Sequence, residues 1–321
     1  MENSSVFKTL RAGFSFVEKH ADHVHIDYSK LENYARNLPE IAPENLLDTQ
    51  HHYIADPAST ASYVFTLDAI NFGSGYKYYM QEEGWDLIED SIYFTVSKRL
   101  KDHFESNGAL SAEQLSVLSS KDLADILKLD TTRAYSAEFA GLCVKSLNEL
   151  GQKICDDFQG DFMACLKAME GRAENLFKYL SRLPCFQDRH DYKGEMIGFY
   201  KRAQITVVDL QLAFNHVGQV LFNDMSDFTM FADNGVPHVL RIDDILQYSD
   251  ALQKRIDRGD LIESGSAEET EIRAVAAHAV ELIAQIKGLS AVNVDHILWH
   301  RSVENTVYAR TPTHKTLSIY Y

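Results

Sequence analysis

A single aspartate stands among apolar residues in a segment suited to chemistry on a small ligand. Asp233 follows Met230 and Phe231 and precedes the turn-forming pair Asn234-Gly235. A carboxylate beside a turn can cap a helix, or it can be a buried acid that faces a pocket. In a pocket it could orient or deprotonate water, or stabilise positive charge that develops during a reaction. The residue types leave both roles open.

Lys201 is the candidate for binding an anion. In a helix it aligns with the apolar residues Ile205 and Val208, whereas Arg202 and Asp209 are predicted to face elsewhere. A lysine on an apolar stripe requires an anionic partner, or it must extend its ammonium to solvent. The stripe therefore predicts either an anion site or a lysine that reaches the surface from the start of its helix.

Histidine and aromatic residues flank a helix that is predicted to begin at Asp56-Pro57. His52 precedes this helix, and Phe72 follows it together with Gly73 and Gly75. Glycine lets a backbone approach a ligand closely, and an aromatic ring offers a flat surface to a base. The alternative is a glycine-rich helix end that is packed by aromatic residues of the core.

A fourth segment, VDHILWH, combines an acid, two histidines and a tryptophan. Asp295 and His300 diverge by about 140° on a straight helix. We therefore expect both to reach one ligand only if the helix ends or bends near Trp299, or if the ligand caps its end. The histidines could instead form a solvated face. The last residues, Ile-Tyr-Tyr, predict that the tail packs back onto the body.

Helices must position these side chains, because helical periodicity dominates the chain. Alternation at 23–28 predicts one strand. The fold class is therefore all-α, mainly helical, in a single domain over residues 1–321 that is either one unit or two intimate halves. The strongest amphipathic patterns predict helices within residues 87–106, 136–159, 161–182 and, between a capping box at Ser266 and a glycine at 288, the longest helix.

Composition narrows the class of function. The 321 residues carry a formal charge of −16, which disfavours a nucleic acid polymer as partner. The four cysteines lack redox or zinc spacing, which is typical of reduced cytoplasmic thiols. We expect neither a signal peptide nor a membrane span. These properties predict a cytoplasmic enzyme or binding protein that acts on a small molecule; they leave the oligomeric state open.

Several motifs occur in one order along the chain: HHYIADP, YVFTLDAINFGSGY, GFYKRAQITVVDL, TMFADNGVPHVLR, EETEIRAVAAHAVEL, VDHILWH and IYY. Over residues 45–321 the chain thereby resembles the queuosine salvage protein family, the queuosine 5′-phosphate N-glycosylases (hydrolases). The resemblance implies a helical fold similar to helix-hairpin-helix DNA glycosylases. It also implies hydrolysis of queuosine 5′-monophosphate to queuine and ribose 5-phosphate, without a metal or nucleotide cofactor.

The resemblance assigns roles to particular residues. It makes Asp233 the catalytic residue, as nucleophile or transition-state stabiliser, and Lys201 the counterpart of the family's KRAQ lysine. We expect the amine of queuine's cationic arm to pair with Asp295. Two positions depart from the family: Asn234-Gly235 replaces a frequent Tyr-Arg, and His300 replaces an acid found in animal members. The predicted substrate-binding residues are His52, Phe72, Lys201, Met230, Phe231, Asp295, Trp299 and His300.

The residue types suit this reaction. Breaking an N-glycosidic bond develops positive charge at C1′ of the ribose, which a carboxylate stabilises. A 7-deazapurine lacks N7, so the departing base must be stabilised by hydrogen bonds elsewhere and by stacking. Three alternatives remain open: a glycosylase that acts on DNA or RNA, a helical module that binds queuine without catalysis, and a metalloenzyme built on His51, His52, His296 and His300.

Overall fold

The computed structural model describes residues 5–40, 47–304 and 306–321. Within these residues the chain is mainly helical, as predicted, with sixteen α-helices and four short strands. The likeness to helix-hairpin-helix DNA glycosylases stays a prediction. The helices are α1 (Val6–His20), α2 (Tyr28–Asn37), α3 (Pro57–Ala69), α4 (Lys77–Glu82), α5 (Ile92–Asn107), α6 (Ala112–Ser116), α7 (Ser120–Leu127), α8 (Ala134–Phe158), α9 (Phe162–Ala168), α10 (Ala173–Leu180), α11 (Lys201–His216), α12 (Gly235–Ile242), α13 (Asp250–Asp257), α14 (Ala267–Lys287), α15 (Ala291–Glu304) and α16 (Thr306–Arg310).

The strands form two small antiparallel sheets. Strand β1 (Val24–Ile26) lies within the predicted strand and pairs with β4 (Leu246–Tyr248). Strands β2 (Arg189–Tyr192) and β3 (Glu195–Gly198) form a hairpin that the sequence analysis did not predict. Their side chains are largely exposed or half-buried, so they lack the alternation that identifies a strand in sequence.

Two helices begin at the predicted capping residues, whereas one predicted helix is divided into two. The Asp56 side chain accepts hydrogen bonds from the backbone amides of Ala58 and Ser59 and begins α3. Ser266 caps α14 by accepting from the amide of Glu269. The predicted single helix over 161–182 is wrong: it divides into α9 and α10 because Glu170 and Gly171 adopt left-handed backbone angles.

Two helix packings position the candidate site. Helix α14 is buried along most of its length and packs against α1, α2, α12 and α15. Helix α3 is buried on all faces from Thr60 to Ala69 and packs against α11 and α5. Burial on all sides is typical of a central core helix. The C-terminal end of α3, one side of α11 and part of α15 thereby line a common interior space.

The C-terminal tail packs onto the body, as its composition predicted. Tyr321 is buried, and its main-chain oxygen accepts a hydrogen bond of 3.0 Å from the amide of Gly73. A Cβ at Gly75 would lie 2.0 Å from the carbonyl oxygen of Thr316, so only glycine permits this approach. The tail therefore contacts the segment that follows α3.

Among the described helices, none is by itself long and apolar enough to cross a bilayer. Helix α14 and the segment Ala291–Val303 meet that criterion only as a pair, across a bend of 110°.

Candidate active site

A cavity of about 460 Å³ lies between α3, α5, α11, α15 and the loop that precedes α12. All but one of the predicted site residues contribute to its wall: Asp233, His52, Phe72, Lys201, Phe231, Asp295, Trp299 and His300. Met230 is wholly buried and is not among the described residues that line the cavity.

Asp233 both caps a helix and faces the cavity. Its Oδ1 accepts hydrogen bonds from the amides of Gly235 (2.8 Å) and Val236 (3.4 Å) at the start of α12. Among the described residues, none donates a hydrogen bond to Oδ2. Burial raises the pKa of Asp233, and the nearby Lys201 ammonium opposes that shift. The two roles that the sequence left open are therefore compatible, one for each oxygen.

Lys201 is buried at the first residue of α11 and does not reach solvent. Its Nζ donates hydrogen bonds to the Asn71 carbonyl oxygen (3.0 Å) and to Asn71 Oδ1 (2.9 Å). Burial lowers the pKa of Lys201, and the charges of Asp233, Asp68 and Asp295 oppose that shift. The lysine is the centre of an acidic group of side chains.

The predicted orientation of Asp209 is wrong. Asp209 lines the cavity together with Lys201 and Ile205, each four residues from the next on α11. Eight residues rotate a helix by about 80° beyond two full turns, so Asp209 stays on the side that Lys201 occupies. Arg202 does face elsewhere: its guanidinium lies between the rings of Phe72 and Phe186.

Asp295 faces the cavity from α15 and also fixes the loop that carries Asp233. Its Oδ1 accepts a hydrogen bond of 3.0 Å from the amide of Phe231. Burial, reinforced by the charge of Asp233, raises the pKa of Asp295 well above its ordinary value. Helix α15 continues past Trp299 to Glu304, yet His300 also lines the cavity. The helix does not end near Trp299, and the contact of both side chains with one ligand stays a prediction.

His52 contributes a neutral imidazole to the cavity. Its Nε2 lies 2.6 Å from the hydroxyl of Tyr93, and burial lowers the pKa of His52 to about 4. The neighbouring His51 has a different environment, with Asp48 at 2.6 Å and Glu89 at 3.3 Å. Of the two histidines, only His52 lines the cavity.

Aromatic rings form the remaining walls. Trp299 makes edge contacts with Tyr93 (5.6 Å between ring centroids) and Phe94 (5.8 Å). Phe231 makes an edge contact with His296 at 6.0 Å. Phe72, Phe231 and Trp299 thus border the cavity with apolar surface. A planar base fits between such walls.

Comparison with known proteins identifies the family. A model of the family described as queuosine salvage protein matches residues 51–321. The chain belongs to the queuosine salvage protein family. A queuosine 5′-phosphate N-glycosylase/hydrolase of Sphaerobacter thermophilus is 32% identical over 282 residues, which cover 84% of each chain. The protein of that name from Dictyostelium discoideum is 31% identical over 269 residues (82% of this chain, 78% of the relative), and that from Mus musculus is 32% identical over 225 residues (66% of each).

Two further acids of this family member were not predicted as site residues. Asp68 and Asp209 are buried near Lys201, on α3 and α11. The available signal was an acid flanked by apolar residues within a predicted helix, near the end of α3 for Asp68 and in the middle of α11 for Asp209. Helix α3 has apolar residues on every face, so Asp68 has no solvated face to occupy.

A buried ion network supports the loop of Asp233 from behind. Arg273 is inaccessible to solvent, and its Nε donates a hydrogen bond of 2.9 Å to the carbonyl oxygen of Ala232. Its terminal nitrogens donate to both oxygens of Asp188 (2.9 and 2.6 Å) and to Glu269 (3.2 Å). Asp188 Oδ2 also accepts from the amide of Lys201 at 3.3 Å. The network therefore links the backbones that carry the two candidate functional groups.

The cavity side chains do not form a metal centre within the described residues. There, no group of three or more histidine, cysteine, aspartate or glutamate side chains has an arrangement that could hold a metal ion. Of the four histidines of the metalloenzyme alternative, His51 pairs with Asp48 and His52 contacts Tyr93.

Proposed function

We propose that this chain hydrolyses the N-glycosidic bond of queuosine 5′-monophosphate and releases queuine and ribose 5-phosphate. The observation that carries the proposal is Asp233, a buried carboxyl that lines the cavity in a member of the queuosine salvage family. The names of the relatives support the same reaction.

The proposed reaction needs only substrate and water. The C1′–N9 bond breaks, its electron pair stays with the base, and positive charge develops at C1′. The Asp233 carboxylate stabilises that charge, either by electrostatics or by transient attack at C1′, and water adds to C1′. One proton of the water replaces the ribose on the base. Asp233 is suited to hold that proton in transit, because its raised pKa makes it a stronger base than an ordinary aspartate.

The remaining lining residues suit the parts of the nucleotide. Phe72, Phe231 and Trp299 provide stacking surface for the base, which contributes about 1–3 kcal/mol per stacked base in nucleic-acid sites. The neutral imidazole of His52, together with the side chains of Asp295 and His300, provides polar contacts to the base. Lys201 is the proposed cation for the 5′-phosphate. Met230 supports the site from the core, next to Phe231.

The net charge favours a mononucleotide over a nucleic acid polymer. A chain of charge −16 repels a phosphate backbone, whereas one lysine suffices for one phosphate. We also propose that the enzyme acts in the cytoplasm, in keeping with four cysteines that are all free thiols.

The test is chromatography of queuosine 5′-monophosphate after incubation with the purified protein. We expect free queuine and ribose 5-phosphate in equal amounts. Binding of queuine without its release from the nucleotide would support the non-catalytic alternative. Release of base from intact tRNA, but not from the mononucleotide, would support the polymer glycosylase.

A further inference from the structure

Asp209 lines the cavity with a carboxyl that has no hydrogen-bond donor among the described residues. Only 6% of the residue is exposed, and it lines the cavity from α11. Among the described residues, none donates a hydrogen bond to its carboxyl group. The adjacent Asp68 accepts one hydrogen bond, from Asn71 (3.2 Å), while its buried Oδ2 has no hydrogen-bond partner. Two neighbouring buried carboxyls thus retain free acceptor atoms.

Such an arrangement is costly in an empty protein. A buried polar group without a hydrogen bond is destabilising, and two neighbouring carboxyls repel when both are charged. Accordingly, burial raises the pKa of Asp68 to about 7, and burial together with the charge of Asp68 raises the pKa of Asp209 well above its ordinary value. Buried acids without partners are typical of functional sites rather than of the structural core.

The helix axis gives the position of Asp209 relative to the reaction centre. Lys201 and Asp209 are two turns apart on α11, a rise of about 12 Å at 1.5 Å per residue. Lys201 is the lysine that influences Asp233 electrostatically, so the reaction centre is at the N-terminal end of α11. Asp209 is therefore suited to a part of the ligand that is remote from the cleaved bond.

We propose that Asp209, with Asp68 behind it, binds the protonated secondary amine on the side arm of the substrate's base. This inference rests on the proposed function, because the amine distinguishes queuosine nucleotides from ordinary purine nucleotides. The ammonium can donate hydrogen bonds to these carboxyls, and its positive charge favours their ionised form. Recognition of this amine makes Asp209 a specificity-determining residue.

Asp209 suits the amine better than Asp295, to which the sequence analysis assigned it. One oxygen of Asp295 is occupied by the Phe231 amide, and its largest electrostatic influence is Asp233. Asp295 therefore belongs with the reaction centre. The charged neighbours of Asp209 are instead Asp68, Lys201 and Asp48.

The experiment compares two substrates in the Asp209→Asn variant. One substrate is queuosine 5′-monophosphate, and the other is 7-deazaguanosine 5′-monophosphate, which lacks the arm. We expect kcat/KM for the first to fall by about 10- to 100-fold, the range for loss of one charged hydrogen bond. For 7-deazaguanosine 5′-monophosphate, kcat/KM should change by less than about threefold.

Two variants serve as controls. Asp295→Asn should lower kcat/KM for both substrates. Glu281→Gln alters a half-buried carboxyl that pairs with Arg11 away from the cavity and should change neither. Equal losses for both substrates in Asp209→Asn, or no loss for either, would overturn the proposal.

Calorimetry with free queuine and with 7-deazaguanine separates this inference from the proposed function. If the wild-type protein releases no queuine from the nucleotide, the proposed function fails, while selective weakening of queuine binding by Asp209→Asn would still support the amine site. Should Asp209→Asn fail to fold, Asp68→Asn must cause a smaller loss in queuine affinity, with 7-deazaguanine unaffected. A uniform or absent effect in that variant would contradict the inference.

Discussion

Two groups of buried acids adjoin the Asp233 loop, one around Arg273 and one at the cavity, and they differ in how they are paired. Behind the loop, Asp188 and Glu269 both accept hydrogen bonds from Arg273, which also binds the carbonyl oxygen of Ala232. Arginine's planar group can satisfy several acceptors at once. Both acids of this group therefore have a cationic partner within the protein and need no ligand.

The acids at the cavity lack such a partner among the described residues. Their group has one buried lysine, Lys201, whose Nζ is bound to Asn71 rather than to a carboxylate. The pKa values of its four acids are all raised, chiefly by burial; these are Asp68, Asp209, Asp233 and Asp295. Similar residue types at similar depth thus serve different purposes: the paired group holds the loop, and the unpaired group is available to a ligand. Substitutions should separate the two.

The largest effect is expected from Asp233→Asn. Asparagine retains an oxygen that can cap α12 but loses the charge that stabilises C1′, so turnover should fall by about 10³-fold or more. Release of queuine measures the change. The melting temperature and the affinity for queuine should stay near wild type. Turnover close to that of the wild type would contradict the catalytic assignment.

Arg273→Met tests the paired group. It leaves Asp188 and Glu269 buried without their cation, and removal of one partner from a buried pair typically costs about 3–5 kcal/mol. Urea denaturation should show that loss in the free energy of unfolding. Lys121→Ala removes an exposed ion pair with Asp125 and should leave the denaturation midpoint unchanged. Similar midpoints for the two variants would indicate that the buried network does not stabilise the fold.

Lys201→Ala should discriminate between nucleotide and nucleoside. If Lys201 binds the phosphate, kcat/KM should fall about 10- to 100-fold for queuosine 5′-monophosphate, and much less for queuosine, because only the former loses a charged hydrogen bond. Steady-state kinetics with both substrates measure this. Equal losses would assign Lys201 to the base or to the support of Asp233.

The smallest expected effect is a displaced pH profile. If Asp233 acts as a carboxylate, as proposed, kcat/KM should fall as the pH decreases through its pKa, which burial raises above the usual value of about 3.9. Lys201 lowers that pKa, so Lys201→Ala should move the acidic limb to higher pH. The measurement is the pH dependence of kcat/KM for the wild-type protein and for Lys201→Ala, with queuosine as substrate because it lacks the phosphate. A limb that stays in place or moves to lower pH would show that Lys201 does not influence the ionisation of Asp233.

Sequence predicted the cavity-lining residues near Asp233 better than those in the rest of the cavity. Asp233 and Lys201 stood out because each carries charge within an apolar local pattern. Asp209 was assigned to the wrong side, because periodicity gives a direction around a helix axis but not the width of the cavity it faces. Arg273 gave no signal, because its main partner, Asp188, is 85 positions away in sequence. Helix positions were predictable from local periodicity and caps, whereas the break between α9 and α10 depended on two residues with left-handed backbone.

The hydrogen bond from Arg273 to Ala232 also affects how the enzyme loses activity when it is denatured. A site on an independent loop can lose its geometry in local openings while the rest of the protein remains folded. Here the loop of Asp233 is joined through one guanidinium to α14 and to the start of α11. Freeing the loop therefore requires breaking a buried hydrogen bond to an arginine that the core ion pairs hold in place. Inactivation by heat or urea should coincide with cooperative unfolding of the whole domain, with no folded but inactive stage before it.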